Sequence, residues 1–243
     1  MLEIRELYKS FGSLQAVNGL SLRVDDGEWL GWIGPNGAGK STTLKAVTGQ
    51  LVPDSGAVLL NGTDLLADSL ASKRVLGYVP QELHLFPYLT GYEFLRFVAD
   101  IKGVEGDGDA EIRQLMESLY IWEAKDRLTR EYSEGMARKL AICAALVGSP
   151  PLLILDESLN GLDPQSARVV KDRLELAKRE QGASIILVSH ILDMVERVCD
   201  RVALQHEGRV ARIFTRAELA ENRQRGSSLE ELYLDVVGLA SDS

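Results

Sequence analysis

The sequence is poor in cysteine, has no long uninterrupted apolar run, and lacks any basic excess. Its two cysteines, Cys143 and Cys199, sit inside apolar helical patterns with no motif spacing. That excludes a disulfide framework and predicts buried thiols in a reducing compartment. The longest apolar stretch, Ala141 to Leu155, is broken by Gly148, Ser149, Pro150 and Pro151. It falls short of the roughly 18 to 20 residues that cross a bilayer. The start, MLEIREL, lacks the basic-then-apolar plan of a signal peptide. A formal net charge of −9 argues against a general nucleic-acid binder, while a local basic groove stays open. No internal repeat is visible.

What is there is ordinary globular material. Of 243 residues, 45% are hydrophobic and 26% charged. Such a chain holds one large domain, or one domain with an insert. Strands and helices alternate along it. LEIRELYKSF and AVNGLSLRV read as early strands, the second ending at the acidic turn DDGE. WLGWIG is a short apolar strand that runs into glycines, and 42–48 continue as a helix. VLGYVP is a strand stopped by Pro80. From Leu83 to about Leu146 the pattern is mainly helical: YEFLRFVADIKG, AEIRQLMESLYI, then a helix capped by Ser133. The segment GVEGDGDAE reads as a mobile, solvated loop. PLLILDE and SIILVSH are buried-type strands around the amphipathic helix SARVVKDRLELAKRE. DRVALQHEGRVARIF forms two short strands around a turn at 206–208, and the polar last 30 residues read as helical. Apolar strands alternating with helices predict a mostly parallel α/β sheet. The helical stretch, about 86–150, reads as an insert between core segments 1–85 and 151–243.

The strongest local signal is GPNGAGKS, Gly34 to Ser41. It fits G-x-x-x-x-G-K-[ST] between a strand and a helix, the context that motif requires. Gly34, Gly37 and Gly39 let the backbone wrap a phosphate, so that successive N–H groups point inward. Asn36, Ala38 and Thr42 complete the loop and the helix start. Lys40 brings a charge for the β- and γ-phosphates, and Ser41 a hydroxyl for Mg²⁺. The plain alternative is a glycine-rich turn without a ligand. PLLILDE delivers Asp156 and Glu157 to a strand's C-terminal end, where open α/β sheets bind ligands. Asp156 would hold Mg²⁺, and Glu157 would stand near an attacking water; alone, the pair would read as an acidic N-cap. His190 ends the strand SIILVSH and can bond a γ-phosphate and orient water. Gln81, after VLGYVP, can touch Mg²⁺ or water from another strand end.

The order P-loop, Gln81, YSEGM, LLILDE, NGLD, His190 resembles the ATP-binding cassette (ABC) family of ATPases over nearly the whole chain. The resemblance implies a P-loop NTPase of RecA-like core, with an antiparallel β subdomain and an inserted α-helical subdomain. It implies a head-to-tail dimer with two ATPs, each between the P-loop of one cassette and YSEGM of the other. Ser133 and Gly135 would then touch the γ-phosphate held by the partner chain, and Asp163 of NGLD the dimer contact. Glu134 departs from the family's usual glycine and is tolerable if its side chain leans into solvent. Ser158-Leu159 replaces the usual Pro-Thr. By the same resemblance an aromatic before an early glycine stacks on adenine; Phe11 of KSFG is the candidate and Tyr8 its rival. An unbulged strand would turn those two to opposite faces.

An intact Glu157, Lys40 and His190 imply real hydrolysis rather than a non-hydrolysing regulatory module. The implied ligands are ATP and Mg²⁺. The implied partners are a second cassette and an integral membrane subunit docked on the helical subdomain; Leu85, Phe86, Tyr88 and Leu89 make an apolar loop that either meets that subunit or packs into the helical core. No nucleic-acid partner is expected, and the place of work is the cytoplasmic, inner face of the membrane. YSEGM and the tail SLEELYLDVVG resemble cassettes of ABC-2-type exporters. The rival reading is a soluble cassette acting on nucleic acid, ribosomes or cofactor assembly.

Overall fold

The structure, a computed structural model, describes residues 1–67, 69–104, 106–224, 226 and 228–241. Its elements in chain order are β1 (Leu2–Phe11), β2 (Leu14–Val24), β3 (Trp29–Ile33), α1 (Lys40–Val47), β4 (Ser55–Leu60), β5 (Thr63–Asp64), α2 (Ser69–Arg74) and β6 (Leu76–Val79). Then follow α3 (Gly91–Lys102), α4 (Gly108–Ser118), α5 (Glu134–Leu146), β7 (Leu152–Asp156), α6 (Pro164–Gln181), β8 (Ser184–Val188), α7 (Leu192–Val198), β9 (Arg201–His206), β10 (Arg209–Thr215), α8 (Arg216–Gln224) and α9 (Leu229–Ser241). The chain divides into two compact units, Met1–Ser72 with Ile186–Ser243, and Lys73–Ile185.

The first unit holds an antiparallel sheet in the order β2-β1-β4-β5. Leu2, Ile4 and Leu7 of β1 are all buried, which breaks strict alternation. The pairing with β2 shifts register between Ile4 and Leu7, and Glu6 there has φ 45°. A bulge of this kind admits one extra residue and returns Leu7 to the core face. The same unit pairs β3 with β9 in parallel, Leu30 opposite Arg201 through Ile33 opposite Leu204, and β9 with β10 antiparallel. All five residues of β3 are buried, as expected of a parallel strand covered on both faces. The hairpin β4–β5 is an addition to the expected elements. Its apolar residues span only Ala57 to Leu60, between the turn-forming DSG and NG.

The second unit pairs β6 with β7 in parallel, Leu76 opposite Leu152 and Val79 opposite Leu155. Helices α3, α4 and α5 pack on one another, and α5 also packs on β6. Residues 83–90, expected to begin the helical stretch, are irregular; α3 starts only at Gly91. Its start is fixed by a reciprocal cap. Thr90 Oγ1 accepts from the Glu93 N–H at 3.2 Å, and Glu93 Oε2 accepts from the Thr90 N–H at 2.8 Å. The expected loop GVEGDGDAE ends early, because Asp107 caps α4 by accepting from the Ala110 N–H. Its Glu105 lies outside the described residues. Both cysteines are buried thiols, and burial pushes the Cys143 thiol up to about 12.

Lys102, the last residue of α3, fastens this unit. Its ammonium donates to the carbonyls of Ala144, Ala145 and Val147 at 3.2, 3.1 and 2.8 Å. These oxygens close the C-terminal end of α5, where a cation is favoured. Burial pulls the amine down to about 8, so it is still mostly charged at neutral pH. Lys102→Met removes the shared donor and should cost about 2 kcal/mol. A chain of this size should then melt several degrees lower, and an unchanged melting temperature would contradict the role.

Candidate functional site

In the first unit, β3 delivers Gly34 and α1 begins at Lys40, so GPNGAGKS is the whole connection. Gly34, Gly37 and Gly39 all have positive φ. A Cβ on Gly34 would stand 2.2 Å from the Gln205 carbonyl oxygen, and one on Gly39 would stand 2.0 Å from that of Ala16. Only glycine fits these two positions. A Cβ on Gly37 would meet nothing within 4 Å, so its side of the loop is open. Lys40 Nζ donates to the carbonyls of Gly34 at 2.6 Å and Pro35 at 3.0 Å, folding its charge over the loop. The Gly208 N–H donates to the Ala38 carbonyl at 3.0 Å, bracing the loop on the β9–β10 turn. The first N–H groups of α1, at Lys40, Ser41 and Thr42, have no carbonyl partner within their own helix. This is a cradle suited to an anion.

Phe11 ends β1 and is 51% exposed, with Lys9 Nζ 5.6 Å from its ring centroid. Tyr8 instead packs against Gly19, where a Cβ would come within 2.7 Å of its hydroxyl. Pairing with β2 shifts register between Leu7 and Tyr8 and again between Lys9 and Ser10. The alternation that would send Tyr8 and Phe11 to opposite faces therefore does not apply. Of the two rings, Phe11 is the one with an open face. His190 follows the buried Ser189 and is exposed in the same unit.

In the second unit, the β6–β7 register places Gln81 and Glu157 at the same end of two adjacent parallel strands. Asp156 ends β7 and is buried. Glu157 has φ 51°, a left-handed conformation that costs a non-glycine residue on the order of 1 kcal/mol or more. Its carboxylate accepts from the Asn160 side-chain amide, and its carbonyl from the Asn160 N–H at 3.2 Å. The strain and this clamp were invisible in the motif. Among the described residues the buried Ser158 hydroxyl has no hydrogen-bond partner. Asp163 caps α6, accepting from the Ser166 N–H at 2.9 Å. Its carboxyl is held below the usual range, chiefly by the Ser166 side chain. Among the described residues no cluster of His, Cys, Asp or Glu is built to hold a metal. Hydroxyl, amide and carboxylate oxygens such as those of Ser41, Gln81 and Asp156 are hard donors of the kind Mg²⁺ takes together with phosphate oxygens.

Helix α5 starts as expected. Ser133 is its N-cap, and its Oγ accepts from the Met136 N–H at 3.3 Å. The hydroxyl proton is then left to donate outward. Glu134 turns back along the helix to Arg138, with Oε1 2.8 Å from Nη2, and its side chain is 72% exposed. The carboxylate thus leaves the helix start clear. Arg138 is a residue the motif did not single out; the i,i+4 spacing from Glu134 was its only sequence signal. Glu134→Gly loses an ion pair worth a few tenths of a kcal/mol and should leave turnover largely intact; an inactive variant would show that Glu134 is needed at the helix start.

Gly135 is the most informative residue of the helix start. It lies in α5, and a Cβ there would meet nothing within 4 Å. Neither backbone conformation nor internal packing asks for glycine. Gly135→Ala should raise stability by up to about 1 kcal/mol, because alanine is the better helix former. It should nonetheless slow turnover by crowding the open N–H groups. Melting temperature and phosphate release measured on one preparation check the opposite signs; undiminished turnover would contradict the reading.

Comparison with known proteins bears on the family and the fold. Similar proteins include the linearmycin resistance ATP-binding protein LnrL of Bacillus subtilis, 36% identical over 96% of this chain and 74% of that protein. The Nod factor export ATP-binding protein I of Burkholderia lata is 36% identical over 86% of this chain and 68% of that protein. A solved structure described as the ATP-binding subunit of an ABC transporter superposes with a TM-score of 0.89 at 33% identity, covering 98% of this chain and 99% of that one. A dimeric bacterial ABC transporter cassette, at 22% identity and a TM-score of 0.82 over 89% of this chain and 99% of its own, shares the fold. The sequence pattern of the ABC transporter family matches residues 17–160, and the chain belongs to that family.

Proposed function

We propose that this chain is the ATP-hydrolysing cassette of an exporter, paired head-to-tail with a second cassette and seated on a separate membrane subunit. One observation carries the reading. The chain has a glycine-built loop folded around Lys40, and a second helix start whose glycine, Gly135, serves no internal purpose. Both are seats suited to an anion; the loop would bind this chain's own nucleotide, and the open helix start one held by a partner. Gly34, Asn36, Gly37, Ala38, Gly39, Lys40, Ser41 and Thr42 would hold the phosphates, and Phe11 would stack on adenine. Ser133, Gly135 and Asp163 would act across the dimer.

Ser41, Asp156 and Gln81 would hold Mg²⁺, which neutralises charge on the β- and γ-phosphates when bound. Glu157 takes a proton from water as that water attacks the γ-phosphorus. His190 holds the water and the γ-phosphate in line, and Lys40 stabilises the charge that passes to the departing ADP. The domains are read as a core of 1–85 and 151–243 with a helical subdomain of about 86–150.

Export is supported by the relatives, one named for linearmycin resistance and another for Nod factor export. Attachment to a membrane subunit is supported by an apolar surface on the irregular segment 83–90 that precedes α3. Phe86 and Tyr88 are 50% and 77% exposed, although Phe86 also meets the Phe97 ring edge-on at 5.4 Å. Leu85 and Leu89, which flank them in sequence, are half-buried. Such a patch suits a membrane subunit. No described helix is long and apolar enough to cross a membrane. In this reading the chain works at the cytoplasmic face, attached through that partner. Affinity purification of the tagged chain from solubilised membranes tests this. Recovery of an integral membrane protein is expected; recovery of ribosomes or nucleic acid without one would favour the soluble reading.

A further inference from the structure

A buried amide beside the phosphate loop has no part in the chemistry above. Gln205 lies in β9 with no exposed surface. Its Oε1 accepts from Trp32 Nε1 at 3.0 Å. An indole N–H only donates, so the amide has one permitted orientation, oxygen towards Trp32 and nitrogen towards α1. Gln205 Nε2 donates to Thr43 Oγ1 at 3.3 Å. The hydroxyl, having accepted there, donates to the Gly39 carbonyl at 3.0 Å. The Thr43 N–H donates to the same carbonyl at 2.9 Å.

Every hydrogen bond in this chain has its direction set by the one before it. The result is a Gly39 carbonyl pinned down into α1. Because the peptide is planar and trans, the N–H of Lys40 on its other side must point the opposite way, out of the helix start and into the loop. Gln205 also meets the loop's first glycine. A Cβ on Gly34 would stand 2.2 Å from the Gln205 carbonyl oxygen, while one on Gly39 would stand 3.0 Å from its Nε2. One residue therefore braces both ends of the loop. An apolar side chain in the same place would leave the buried Trp32 N–H unpaired and Thr43 without its donor, so the amide serves both the indole and the loop.

We propose that Gln205 is a positioning residue for nucleotide binding, acting through Thr43 to aim the Gly39–Lys40 peptide at phosphate. The proposal rests on reading GPNGAGKS as the phosphate loop. It is tested by the affinity of the purified full chain for Mg-ATP, read by displacement of a fluorescent ATP analogue. Gln205→Met keeps bulk but breaks the relay, and Thr43→Val breaks it from the other end. Each should weaken ATP binding about tenfold, the value of one hydrogen bond to a charged group. Thr43→Ser, which keeps the hydroxyl, should bind as the wild type does. The double variant should bind no more weakly than either single variant, because both cut one series.

Gln205→Met and Thr43→Val binding ATP within about twofold of wild type would overturn the proposal, as would losses that simply add. So would Thr43→Ser behaving like Thr43→Val. If Gln205→Met does not fold, the Thr43 pair carries the test. A wild-type chain that binds no ATP would instead remove the phosphate-loop reading itself.

Discussion

Glu157→Gln should bind ATP, dimerise on binding it and release phosphate about a hundred to ten thousand times more slowly than the wild type, the usual worth of a general base. The substitution is nearly isosteric. A glutamine at 157 keeps an oxygen for the Asn160 amide that now donates to Glu157, so the clamp survives. It loses the ability to take a proton from water. The left-handed backbone at φ 51° is unaffected by the change of side-chain terminus. The variant therefore separates binding from chemistry. Phosphate release in a single turnover, measured beside ATP retention, gives the result. Near-normal release would take Glu157 out of the base role and pass it to another group.

Ser133→Arg should abolish ATP-driven dimerisation and hydrolysis while leaving ATP binding to the chain's own loop intact. Loss of the cap to the Met136 N–H costs only about 1 kcal/mol, too little to unfold a domain. A fall in melting temperature of no more than a few degrees is expected. The functional loss has a different origin. Arginine fills the space at an exposed helix start, where the resemblance places the partner's γ-phosphate, and it removes the small hydroxyl donor. Sedimentation with ATP and phosphate release read the two effects. A variant that dimerises and turns over normally would remove Ser133 from the interface.

Much of this site could be read before any coordinates. The extent of β1, the all-apolar β3 running into GPNGAGKS, and the Ser133 cap follow from pattern and residue chemistry. Leu2, Ile4 and Leu7 even carry the bulge in their spacing, since an unbulged strand would not bury all three on one face. Other features depend on partners distant in sequence. The β4 strand was hidden because only its short apolar end stands out between turns. The strain at Glu157 and its Asn160 clamp depend on the backbone course of residues 157–160, which residue types alone do not report. The contact of Trp32 with Gln205 spans 173 positions, so no local pattern reports it. Glu134 lay between these cases: its odd identity was plain, and its turn back to Arg138 needed the structure.

The claim beneath the rest is that each chain completes the other's nucleotide site. The most direct measurement is the mass of the Glu157→Gln chain by light scattering on a sizing column, with and without ATP and Mg²⁺. The account predicts the 26.7 kDa chain alone without nucleotide, and a species of twice that mass with it. A chain that stays at its single mass with saturating ATP and Mg²⁺, even with its membrane partner supplied, would contradict it.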